Sequence, residues 1–169
     1  MSIQRYSISK GKTKFQVHLS SAQTNSWTGL EFDAHYMIDL RNHVDVSDMN
    51  KAYNCYVCFR TNGTDDINMT YLYHLHLDIG ANAINAHAYR ELSCPHTILK
   101  LESYSNGGVD YVSAFSEYQT NPPLFVKTLF NVDTIGVLVS QINPADNPAT
   151  STVTWANTNY HMILYFEEV

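Results

Sequence analysis

Residues 67–79 read INMTYLYHLHLDI, and in that run Ile67, Met69, Tyr71, Tyr73, Leu75, Leu77 and Ile79 occupy every second position. Two is the side-chain period of a β-strand, so the run predicts one long strand. Its polar face carries Asn68, Thr70, His74, His76 and Asp78. The same alternation recurs on either side. Phe15, Val17 and Leu19 alternate with Lys14, Gln16 and His18, and Phe32, Ala34, Tyr36, Ile38 and Leu40 alternate with Glu31, Asp33, His35 and Asp39. Tyr53, Cys55, Val57 and Phe59 share a third apolar face, and further β-rich runs lie at 97–104, 109–115, 124–130, 135–142 and 159–168. Turn-forming clusters punctuate them: Asn62-Gly63, Asn106-Gly107-Gly108, Asn121-Pro122-Pro123 and Asn143-Pro144. One segment, ANAINAHAYREL at 81–92, is alanine-rich and predicts a short helix.

Roughly eight to ten short strands without a strand–helix–strand rhythm predict an all-β antiparallel sandwich, with the single eight-stranded jelly roll plus one short helix as the leading form. Immunoglobulin-like and lectin-like sandwiches share the pattern. No repeat, low-complexity tract or linker divides residues 1–169, so one domain is expected. A chain of 169 residues buries about 70% of its unfolded surface, so neither a metal nor a disulfide is needed to hold it together. Its three cysteines, Cys55, Cys58 and Cys94, are an odd number, and MSIQRYSISKGKTK lacks the apolar stretch of a secretory leader. Both point to synthesis in a reducing cytosol.

The formal net charge is -6, which disfavours binding nucleic acid directly by neutralising phosphates. No apolar run is long enough to predict a membrane span. Charge is nonetheless uneven: Arg5, Lys10, Lys12 and Lys14 all precede the first acidic residue, Glu31. Residues 1–14 therefore read either as a basic amino-terminal arm that docks on an acidic neighbour or as a lysine-protected edge strand.

Few residues suggest chemistry. Cys55 and Cys58 form a C-x-x-C, but within a strand an offset of three puts the two sulfurs on opposite faces, so neither zinc nor redox use follows. His74, His76 and Asp78 share a face and could converge on a metal, as in the H-x-H strand of cupins. The fixed glycines and the glutamate of that family are not at matching positions. The His row is read instead as polar alternation or a subunit contact, with no metal and no cofactor expected. No nucleophile elbow, phosphate-binding loop or zinc-protease helix motif occurs, so no enzyme is expected. Twelve tyrosines and two tryptophans supply contact area at low rotamer cost. Tyr104, Tyr118 and Trp155, near the turn clusters, are the candidates for exposed contacts to a partner or a glycan.

Several segments together resemble the small single-jelly-roll proteins of large double-stranded DNA viruses and virophages, which include penton, minor capsid and spike components. They are KFQVHLS, AHYMIDL, YNCYVCFRTNG, NPPLFVKTLFN followed by IGVLVSQI, and NYHMILYFEEV. The resemblance implies a jelly roll, self-association about a symmetry axis, other capsid proteins as partners, a place in the virion and no catalytic residues. Four basic residues do not make the arginine-rich arm of genome-packaging coat proteins, which shifts the expectation toward a minor, vertex or surface component. The alternative is a carbohydrate-binding sandwich module or receptor-binding head.

Overall fold

A computed structural model describes residues 2–8, 12–22, 27–30, 32–37, 46–64, 66–78, 97–115, 125–128, 134–145, 150–153, 155 and 158–169. The strands are β1 (Ser2–Ile8), β2 (Lys12–Ser20), β3 (Trp27–Leu30), β4 (Asp33–Met37), β5 (Ala52–Thr61), β6 (Leu72–Asp78), β7 (Thr97–Asn106), β8 (Val109–Phe115), β9 (Phe125–Thr128), β10 (Thr134–Ile142), β11 (Thr150–Thr152) and β12 (Tyr160–Glu168). A single helical turn, α1 (Val46–Met49), precedes β5. The helix expected over 81–92 lies outside the described residues.

Every pairing is antiparallel, and the pairings are nested: β2 with β12, β4 with β10, β5 with β8 and β9, β6 with β7. This is a long hairpin rolled up on itself, the winding of a jelly roll. Two further pairings, β12 with β5 and β10 with β6, assemble the rolled arms into two sheets. The first runs β1-β2-β12-β5, with β8 and β9 sharing the far edge of β5, and the second runs β3-β4-β10-β6-β7. β7 belongs to both: residues 97–101 pair with β6 and residues 102–106 with β8.

The core lies between the sheets because alternation points one side chain in two inward. Phe15, Val17 and Leu19 of β2, Tyr53, Cys55, Val57 and Phe59 of β5, and Tyr160, Met162, Leu164 and Phe166 of β12 are buried and meet Ala34, Tyr36, Tyr73, Leu75, Leu77, Ile135, Val137 and Val139 of the second sheet. Tyr36 and Tyr160 bridge the layers, with hydroxyl oxygens 2.7 Å apart. Burial pushes the pKa of both upward, so both stay protonated and one donates to the other.

The quoted run is not strand throughout. The Asn68 carboxamide oxygen accepts from Thr70 N at 3.0 Å, and Tyr71 N donates to the Asn68 carbonyl at 3.0 Å, so residues 68–71 turn and β6 starts only at Leu72. An Asx turn has overridden an apolar period that continued through it. Asn106-Gly107-Gly108-Val109 is the two-residue hairpin joining β7 and β8, with φ of 64° and 82° at the glycines, as a type I′ turn demands. A Cβ at either glycine would meet nothing within 4 Å. Gly107→Ala and Gly108→Ala should therefore each cost about 1 kcal/mol through backbone conformation alone. Urea unfolding checks this; no loss would mean the turn has another geometry.

Around α1, Lys51 Nζ lies 2.8 Å from Asp48 Oδ1 and 3.1 Å from Glu168 Oε2, which also accepts from Thr13 N at 2.8 Å. That Thr13 amide and the Lys51 ammonium hold the Glu168 carboxyl below its ordinary pKa. β12 is thereby clasped to β2 and to the start of β5.

Candidate functional site

The basic segment is strand on both sides of residue 10. The register sets Arg5 opposite Phe15, Lys12 opposite Ile8 and Lys14 opposite Tyr6, and Lys14 Nζ is 2.5 Å from Glu167 Oε1 of β12. In the described part of residues 1–14, Arg5 stands on the edge strand β1, while Lys12 and Lys14 stand on β2, which β1 and β12 flank. Lys10 lies outside the described residues.

The expected solvent-facing row on β6 is also corrected. His76 is only 2% exposed and Ser140 is fully buried, with His76 Nε2 2.8 Å from Ser140 Oγ. All of residues 135–140 are buried, so β10 is covered on both of its faces. His76 Nδ1 has no hydrogen-bond partner, and either tautomer leaves one buried ring nitrogen unsatisfied. Burial pushes the His76 pKa down to about 4, with neighbouring His74 adding to the shift. The half-buried His74 is lowered by burial and by Lys100, its register partner on β7. Both imidazoles are neutral at pH 7. A serine hydroxyl 2.8 Å from an imidazole has the spacing of a nucleophile and its base. Here Nδ1 has no partner and Ser140 is fully buried, and the pair joins β6 to β10.

Trp155 is likewise core rather than an exposed contact. It is 5% exposed, with its ring 5.0 Å from Phe32 and 5.1 Å from Tyr73. Proximity to a turn cluster did not expose it: its ring packs on Phe32 and Tyr73, and Val153, two residues earlier, donates its N–H to the Val139 carbonyl of β10 at 3.1 Å. Tyr118 lies outside the described residues. Cys55 is buried and Cys58 half-buried. The sulfurs face opposite ways as alternation required, and burial pushes both thiols up in pKa, away from reactivity.

Tyr104 is where an exposed contact was expected. It is partly exposed on the outer face of β7 and pairs with Tyr111 of β8, the two rings stacked 5.2 Å apart at 13°. On the other side of Tyr111 the guanidinium carbon of Arg60 lies 5.0 Å from the ring centre. Sequence reading missed Arg60 and Tyr111, although the hairpin at Gly107-Gly108 fixes Tyr104 opposite Tyr111 and would have found the second ring.

Among the described residues, no three His, Cys, Asp or Glu side chains gather closely enough to hold a metal ion, and no helix is long and apolar enough to cross a membrane. The chain matches no protein-family model and no curated protein.

Proposed function

We propose that this chain is a structural protein of a virion, a minor capsid, penton or surface component that acts by self-assembly and contacts to other capsid proteins. The observation that carries the reading is the winding: β2-β12-β5 with β8 and β9 against β4-β10-β6-β7 is one jelly roll, the fold that the resemblance to viral single-jelly-roll proteins called for. Three further features favour it. β1 and β3 end the strand order, and a strand edge is a ready place for another chain. Met37, at the end of β4, is 70% exposed, the kind of apolar side chain that an interface covers. The net charge of -6 favours protein neighbours over nucleic acid.

Symmetry multiplies modest contacts, so no single interface has to be large. Light scattering behind size exclusion, at micromolar protein across a salt series, should show a trimer, a pentamer or a larger closed particle. A monomer at every salt concentration would overturn the proposal.

A further inference from the structure

The row formed by Arg60, Tyr111 and Tyr104 has a fixed end and an open end. At the fixed end, Gly63 backs onto Tyr111 so closely that a Cβ there would run into Val109 Cγ1 and sit 3.0 Å from the Tyr111 ring. With Arg60 over the same ring, Tyr111 is held in place, and its other face is occupied by Tyr104. Tyr104 is thus oriented from behind. On its far side the described chain adds no strand, because residues 102–106 of β7 pair with β8 alone. Glu102 and Asn106 flank Tyr104 at the positions two before and two after it, on the same strand face, and both are exposed. Glu102 holds Lys100 at 3.0 Å, with the two side chains 71% and 60% exposed, an ion pair open enough to exchange for a ligand hydroxyl.

We infer that Tyr104, set by Tyr111 and Arg60, is a stacking platform for a neutral saccharide. One face of a pyranose presents C–H groups of slight positive charge to the negative face of an aromatic ring, while its rim hydroxyls need acceptors and donors at the ring's edge. Glu102 supplies the acceptor and the Asn106 carboxamide supplies both. The ring's orientation is settled before binding, so little rotamer freedom is lost on contact. The chain's net charge of -6 disfavours anionic sugars and nucleic acid. The site lies within one chain and does not depend on self-assembly.

The test is NMR titration of isotopically labelled protein with the methyl glycosides of glucose, galactose, mannose and N-acetylglucosamine. At least one should give saturable shifts at the amides of residues 102–106 and 109–111, with a millimolar Kd. Tyr104→Ala should weaken binding about tenfold, and Tyr104→Trp, which restores a larger ring, should bind at least as tightly as the wild type. Glu102→Gln should weaken binding while leaving the native mass unchanged, which separates this site from the assembly reading. No saturable shift with any of the four glycosides, or undiminished binding in Tyr104→Ala, would overturn it.

Discussion

Replacing Trp155 by alanine should lower the unfolding free energy by about 3–5 kcal/mol, the range for deleting a large buried aromatic ring. The indole meets Phe32 edge-on at 81° and Tyr73 at 59°, and Phe32 in turn lies 5.6 Å from Tyr160, which bridges to Tyr36. The rings that would have to collapse into the space are themselves pinned on other sides, so a cavity remains. Against a total stability of about 5–15 kcal/mol this is a large share, and the thermal midpoint should fall on the order of 10 °C. Trp155→Phe keeps a ring in the space and should lose about half as much. A loss below about 1 kcal/mol for Trp155→Ala in urea unfolding would contradict the packing described.

Acidification should be nearly as costly. The His76 imidazole titrates near 6.5 when exposed and near 4 in the fold, so between those values the unfolded chain binds a proton that the folded chain excludes. The His76 contribution is full above about pH 6.5, declines as the pH falls toward about 4 and levels off below. The window is worth about 3 kcal/mol. His74 is lowered too and adds in the same direction. No compensating carboxylate is hydrogen-bonded to His76: its one partner is Ser140, and Nδ1 has none. The double variant His76→Leu with Ser140→Ala removes both polar groups together and should hold neutral-pH stability within about 1 kcal/mol. Its unfolding free energy should be much flatter between pH 6.5 and 4. An unchanged slope would place the acid sensitivity elsewhere.

Much of this fold was legible because alternation is a local signal. Phe15-Val17-Leu19, Tyr53-Cys55-Val57-Phe59 and the run at 159–168 fix which face is buried before any partner is known, and their strands lie where the pattern put them. What alternation cannot say is whether the opposite face meets water. His76 and Ser140 have the polarity of a solvent-facing row, yet both are buried, since β10 and this part of β6 are covered on both faces. The extension of the long strand through Asn68 failed for a related reason: the bonds that Asn68 accepts from Thr70 and Tyr71 outweigh an apolar period. Trp155 shows the limit from the other direction, because its burial depends on Phe32 and Tyr73, more than eighty positions earlier in the sequence. Of the candidate contact residues, Tyr104 is partly exposed, and its neighbours Tyr111 and Arg60 required the hairpin register and the pairing of β5 with β8.

The position of β12 governs how this chain must come to be folded. It lies between β2 and β5 in the first sheet, yet it is the last of the described strands to be made. At about 5–20 residues per second, roughly 7–30 s separate β2 from β12 on the ribosome. Throughout that interval the apolar rows of β2 and β5 have no central strand to join them. The first sheet can therefore close only once β12 has been made, its decisive contact joins strands far apart in the sequence, and such non-local closure is slow. In a rolled hairpin whose outermost arms meet in the middle of a sheet, the chain made before that closure carries apolar rows and unpaired strand edges, the features that expose it to aggregation.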